Sequence, residues 1–426
     1  MLRPRRFTWQ STLVSGLGRL VLLTVAASAL LGQARAAEVD VSKLTALKDE
    51  KHAEEILSAS TGQLLMFDSL EQLSPAAAEI LARHDADIAL HALEKLDADL
   101  AAAFGEFRHT LGLHGIKELD NAAAAALAGG KAVLSLENLR SLTHVGLAEK
   151  IAAQQHLVTF KQLEKVKPEI ADALAAGPCG LELPVIAELT HLGLAQKLIG
   201  NGKKEYRFEK LTKLGPAAAR GLCGVPCNLH FKALTVMEPE VAAEFTNQVG
   251  VLGVDHIVKM NPEAAASLLG NLGPLDLGGC DGFVKVGQQV PPPVLQAVAQ
   301  HASSLTLGGL RSVPADLADA IRQRKHHTVL PHVRCLTVEM AQGLAGKGGV
   351  QGVVWLPNTE QVEPKNQIHN GAVPELLRMK AIQAKPGPLG QPAIILSSGL
   401  RLSLPEGHIQ AIENHLAINF DNHFGR

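Results

Sequence analysis

The chain repeats itself about every 23 residues, and that beat limits what it can fold into more than anything else it contains. Twelve times a pair at spacing two, aliphatic or aromatic except for Thr328, is followed by apolar residues at spacing three. The starts are Leu65, Ile88, Leu111, Leu134, Val158, Leu181, Tyr206, Leu229, Leu252, Leu275, Leu305 and Thr328. Successive starts lie 23, 23, 23, 24, 23, 25, 23, 23, 23, 30 and 23 residues apart. With 46% hydrophobic residues, chance matches would be frequent, but they would be scattered rather than periodic. A fixed period of this length belongs to stacked units, each too small to bury its own apolar face, that share one continuous core. A chain of 426 residues therefore need not divide into several ordinary domains.

Each unit has the same internal grammar. The leading pair alternates in and out, which suits a short strand with both apolar residues on one side. Nine places after the starts stand Ser74, Asp97, Asp120, Thr143, Lys167, Thr190, Gly215, Glu238, Asn261, Val284, Pro314 and Thr337. Seven of these are Ser, Thr, Asp or Asn, side chains that accept an orphan N–H at a helix start. Proline follows as Pro75, Pro168, Pro216, Pro239 and Pro262, the first helical position, where its missing N–H costs nothing. Alanine runs such as Ala76-Ala77-Ala78 and Ala217-Ala218-Ala219 predict short helices lying close together.

On these motifs, over roughly residues 64–356, the chain resembles a leucine-rich repeat protein, in a bacterial-type variant with alanine-rich repeats. The resemblance implies an α/β solenoid, a horseshoe with parallel strands on the concave face and short helices on the convex face. It also implies a partner bound on the concave side. One departure matters. The slot that usually holds Asn or Cys after the strand is aliphatic here, as at Leu70, Leu93, Ile116, Leu139 and Leu163, and only Cys280 restores a Cys. No asparagine ladder is expected.

The flanks divide as follows. Residues 1–36 read as a secretory signal peptide, with Arg3, Arg5 and Arg6, an apolar run from Leu20 to Leu31, and Ala34-Arg35-Ala36 before the cleavage point. The apolar run is short for a membrane span, so no span is expected in the mature chain. The expected location is exported: periplasmic, cell-envelope or extracellular. Residues 37–63 are expected to form a helical cap over the first repeat, 64–356 the solenoid of 12–13 repeats, and 357–426 an irregular segment and C-terminal cap. Unit 275–304 is irregular, and Pro291-Pro292-Pro293 within 286–294 predicts an extended, protruding loop or joint. Two stretches, 143–150 and 190–197, are near copies 47 residues apart, which points to duplication of a two-repeat block.

Searching for chemistry excludes more than it finds. The formal net charge is −2 and aromatics are 3%, which argues against nucleic acid as a partner. No Gly-x-Ser-x-Gly, His-Glu-x-x-His or phosphate-loop motif is present, so no catalytic residue, cofactor or metal ligand is assigned. Cys223 and Cys227 are near enough to form a local disulfide; two buried free thiols are the alternative. His91 and His114 share one slot of adjacent repeats, with Glu137 next in that column, and read as exposed column residues rather than metal ligands. Outward strand positions in the middle units carry Lys161, Glu182, Glu205, Arg207, Glu209, His230, Lys232 and Asp255. This mixed-charge strip is the expected partner site, for a protein or glycan. The leading reading is a non-enzymatic, exported binding or scaffold protein. A self-associating envelope protein is the alternative, and an enzyme with its site in the C-terminal region is weaker.

Overall fold

A computed structural model describes residues 41–344, apart from 61, 224, 255, 258 and 278–288, together with strands at 354–356, 361–362, 381–386, 392–396 and 400–403. The proposed signal peptide and Asp255 lie outside the described residues. Short strands alternate with short helices, and the strands of most successive units pair in parallel. The unit strands are β1 (Leu65–Phe67), β2 (Ile88–Leu90), β3 (Thr110–Leu113), β4 (Val133–Ser135), β5 (Leu157–Thr159), β6 (Gly180–Glu182) and β7 (Glu205–Phe208). They continue as β8 (Asn228–Phe231), β9 (Leu252–Gly253), β10 (Leu275–Leu277), β11 (Leu305–Leu307), β12 (Thr328–Val329) and β13 (Val354–Leu356). The register follows the beat: Leu65 faces Ile88, Ile88 faces Leu111, and Leu111 faces Leu134. Leu275 faces Leu305, so the longer interval there leaves the pairing intact.

Helix α1 (Glu50–Ala59) precedes the first unit strand. The unit helices are α2 (Pro75–Leu81), α3 (Ala98–Ala103), α4 (Asn121–Gly129), α5 (Val145–Ala152), α6 (Pro168–Ala176) and α7 (Leu192–Ile199). After them come α8 (Pro216–Leu222), α9 (Pro239–Glu244), α10 (Pro262–Leu269), α11 (Pro292–Gln300), α12 (Ala315–Arg322) and α13 (Val338–Leu344). Each helix lies against the next from α1 to α13. Between the strand and helix layers runs one apolar core, filled by the motif leucines and by Phe67, Phe104, Phe107, Phe160, Phe231 and Phe245. Truncating a buried leucine of this kind to alanine costs about 2–5 kcal/mol.

The helix starts explain themselves locally. Ser74, Asp97, Asp120 and Asn261 each accept the N–H three residues on, at 3.2, 2.8, 2.7 and 2.7 Å. Pro75, Pro168, Pro216, Pro239 and Pro262 each open a helix. Two starts differ from the sequence expectation. Thr143 and Thr190 do not cap α5 and α7; His144 and His191, one residue later, do so with Nδ1, at 3.1 Å from the N–H of Leu147 and of Leu194. The proline triplet is a further correction. Pro291 is the cap of α11, and Pro292 and Pro293 form its first turn, where an N–H is not needed, so the prolines begin a helix instead of excluding one.

The polar interior follows its own column. Six of the eight buried polar or charged residues described stand four places before a unit start: His84, Gln154, Gln248, Asn271, His301 and Arg324. Most reach back to a carbonyl of the preceding unit. Asn271 donates to Phe245 O at 2.9 Å, and the His301 Nδ1 lies 2.8 Å from Leu269 O. The Arg324 guanidinium donates to Val298 O at 2.8 Å and Ser303 O at 2.6 Å, and its Nε to Thr328 Oγ1 at 2.8 Å. Burial pulls Arg324 down to about 10 and His301 below its ordinary range, with the Arg324 charge adding to the latter. This column secures the backbone that leaves each helix.

At the ends, Ala46–Leu47 pairs in parallel with Gln72–Leu73, and α1 lies on α2, burying Leu47, Ala53 and Ile56. At the far end β14 (Ala381–Pro386), β15 (Pro392–Leu396) and β16 (Leu400–Ser403) join the same sheet as β13. Strands β15 and β16 pair antiparallel. No helix among the described residues is long and apolar enough to cross a membrane.

Candidate functional site

The strand ladder is broken in two places. Strands β1–β4 form one sheet, β5–β6 a second, and β7–β13 a third, with β16, β15 and β14 continuing it. The breaks, β4/β5 and β6/β7, fall on the intervals of 24 and 25 residues. Their cause is local. The helices α5 and α7 start eleven residues after Leu134 and Leu181, whereas α2, α4, α6, α8 and α10 start ten residues after theirs. In both cases a histidine follows the usual cap threonine and takes over the cap, pushing everything behind it along by one. The second unit adds another residue in Gly200-Asn201-Gly202, where Gly202 has φ +72°, a backbone region that suits glycine. Beyond the breaks the chain rejoins: Lys161 N–H donates to Glu137 O at 2.6 Å, and Glu188–Leu189 pairs with Lys213–Leu214.

A side-chain carboxamide bridges each break. In regular units the N–H of a start residue donates to the carbonyl just before the next start, as from Leu229 to Val251 O at 2.8 Å. At β6/β7 that partner is Asn201, whose Oδ1 accepts from Leu181 N–H at 3.3 Å and whose Nδ2 donates to Leu181 O at 2.8 Å. At β4/β5 Gln154, with its amide oriented to satisfy its neighbours, accepts from Leu134 N–H at 3.0 Å and donates to Leu134 O at 3.2 Å. Gln154 and Asn201 are 47 residues apart, in matching places of the duplicated block. Each break also opens a recess. One, of about 270 Å³, is lined by β4, β5, Glu137 and His156. The other, of about 340 Å³, lies between β6 and β7, with Leu183, Pro184, Leu198 and Phe208 among its apolar lining and Glu182, Lys203, Glu205 and Arg207 among its charges.

Most of the predicted strip gathers around the second recess. Glu182 pairs with Lys203 across the break, and its other oxygen lies 3.5 Å from the Thr159 hydroxyl. Arg207 donates through Nε to Glu205 at 2.7 Å, and His230 Nε2 lies 3.5 Å from the same Glu205 oxygen. Glu209 and Lys232 pair at 2.9 Å in the adjoining turns. Lys161 pairs instead with Glu137, at the first break. His230 rests over Gly253, its register partner; a Cβ there would come within 2.5 Å of the ring, so glycine is what lets the imidazole lie flat. These are exposed ion pairs, worth about 0–1 kcal/mol each, and they contribute more to display and orientation than to stability.

On the N-terminal side the outward column runs Asp68, His91, His114, Glu137. His91 Nδ1 lies 3.3 Å from Asp68, and the two histidine rings meet edge to face at 4.9 Å. Burial holds His114 below its ordinary range, opposed by Glu137 and assisted by His91 and Lys161. Among the described residues no group of three His, Cys, Asp or Glu side chains could hold a metal ion. Of the two readings of Cys223 and Cys227, a local disulfide or free thiols, the structure has the free thiols. Cys223 ends α8 in helical geometry while Cys227 is buried ahead of β8, and burial pushes the Cys223 thiol up to about 12, with Glu244 and Cys227 adding.

Lys203, Asn201 and Gln154 are site residues that reading the strand positions alone does not find. Their sequence signal was the small excess of two intervals over 23. No protein-family model matches the chain, and no curated protein matches it.

Proposed function

We propose that this chain is an exported repeat protein of the leucine-rich repeat kind. Its units stack as one solenoid, with the strands on the concave side, and it binds a protein partner through the strand face around β6 and β7. The observation that carries the reading is the coincidence of the charged strip with an open recess at a break in the ladder. A solvated sheet face needs charge, but it does not need a cavity beneath it. Recognition sites combine an apolar pocket with a few placed polar groups, and charged rims set orientation and on-rate. A protein fits better than a glycan, because the aromatic rings at the recess, Tyr206 and Phe208, are buried and offer no open face for a sugar.

The test is charge reversal. The purified chain is used to capture partners from envelope extract, the captured protein is identified, and its affinity is measured for the natural chain and for Arg207→Glu/Lys232→Glu. Loss of at least about tenfold is expected, since charge-assisted contacts are worth about 1.5–3 kcal/mol. Unchanged affinity, with the variant's circular dichroism and melting intact, rules out this face.

A further inference from the structure

Which hydrogen-bonding groups remain unused at the second recess indicates what it would hold. The two carboxylates are largely consumed by internal partners. Glu182 takes Lys203 on one oxygen and the Thr159 hydroxyl on the other, and one oxygen of Glu205 receives both Arg207 and His230. Asn201 spends both ends of its amide on Leu181, and the Tyr206 hydroxyl donates to Ile199 O at 2.6 Å while accepting from Lys203 N–H at 3.0 Å. The cations are less engaged. Among the described residues Arg207 donates only through Nε, which leaves both terminal nitrogens of its guanidinium open on a side chain that is 58% exposed. Lys203 gives its ammonium to Glu182 alone and is half exposed. The four charges cancel, so the recess has no net charge; its surplus is directional, and it consists of N–H donors beside an apolar lining that includes Leu183, Pro184 and Leu198.

A planar guanidinium with two free nitrogens is matched in shape by a carboxylate. The apolar residues that share the recess suit an apolar side chain near that carboxylate. The recess, at about 340 Å³, is at the small end of ligand sites and has room for a terminal residue with little chain beyond it. A chain passing through would have to break the Glu182–Lys203 bridge and the Asn201 bridge that span the gap. We infer that this recess captures the C-terminus of a partner protein: an apolar last residue seated against Leu183, Pro184 and Leu198, with its α-carboxylate received by Arg207 and Lys203. The inference rests on the strand-face reading and makes it specific.

The test uses the purified chain and three synthetic probes in ligand-observed NMR titrations. The probes are acetyl-Ala-Ala-Leu with a free carboxylate, the same peptide as its C-terminal amide, and acetyl-Ala-Asp-Leu-Ala amide, which carries its only acid on a side chain. The free acid is expected to bind, and the amide and the internal acid to bind about tenfold more weakly or not at all. Arg207→Gln should weaken the free acid about tenfold, while Lys165→Gln, an exposed lysine paired with Glu188 in a different turn, should leave it unchanged. The inference is overturned if no probe binds, if the amide binds as well as the acid, if the internal acid binds best, or if Arg207→Gln has no effect. None of those outcomes removes the strand-face reading, which fails only if reversing Arg207 and Lys232 leaves partner affinity intact.

Discussion

From β7 to β13 the ladder is continuous; from β4 to β7 it is interrupted twice. Both regions are built from the same unit, bury the same leucines and pack the same short helices. What separates them is one inserted histidine per interrupted unit, with a second extra residue in the latter. The continuous run buries polar side chains to hold its own turns, as Arg324 and Asn271 do, and beyond β8 its strand face carries little: Gly253, Asp276, Thr306 and Val329. The interrupted run uses carboxamides to bridge gaps, and the gaps coincide with recesses and paired charges. In a structure held by backbone pairing from unit to unit, a one-residue slip does not stop stacking. It converts a stretch of ladder into a cavity.

The largest effect expected from disturbing either region lies in the continuous run. Arg324 is 1% exposed and serves several carbonyls, with no carboxylate paired to it among the described residues. Arg324→Leu keeps an apolar volume but leaves those carbonyls without donors, and it should cost about 3–5 kcal/mol in denaturant unfolding. The bridging amides should cost less. Asn201→Leu or Gln154→Leu removes a donor and an acceptor from Leu181 or Leu134, for about 1–3 kcal/mol each. Hydrogen exchange should show the difference in kind: faster exchange confined to Leu181 or Leu134 and their neighbours, against a global loss of protection for Arg324→Leu.

Smaller, and opposite in sign, is the expected result of deleting His144. The deletion returns that interval to 23 and hands the cap of α5 back to Thr143, the residue in the ordinary slot. Strands β4 and β5 should then pair directly, closing the recess beside them. Each restored backbone bond contributes about 1 kcal/mol, so stability should hold or rise slightly, and the amides of β5 should gain protection. If β4 and β5 remain unpaired, the insertion is not what separates them.

Much of the fold was legible because it depends on residues that recur. The starts, the helix caps at Ser74, Asp97, Asp120 and Asn261, and the prolines that open helices can all be read from spacing, since each is set by contacts within one unit. The interruptions were present in the same numbers, as intervals of 24 and 25, but their meaning depends on a hydrogen bond made between units. A list of starts does not say whether extra residues leave the strand pairing intact, as the longer interval after Leu275 does, or displace a strand. The charged strip was legible as outward positions. Lys203 and Asn201 were not, because they lie in the turn before β7 and reach the site only through the shift. The proline triplet misled for a related reason: its stiffness excludes a helix interior but suits a first turn, and only the neighbouring helices α10 and α12 decide which of these applies.

The smallest effect concerns the histidines themselves. His144 and His191 accept through Nδ1 from the third N–H of α5 and α7, and His191 also turns Nε2 toward Asp172 at 2.9 Å, which fixes the tautomer with its proton on Nε2. An N-cap is worth about 1 kcal/mol, so His191→Ala should destabilise by about that amount. His191→Asn should restore most of it, because asparagine is among the best caps. If the histidine were retained only as a spacer, alanine and asparagine would behave alike.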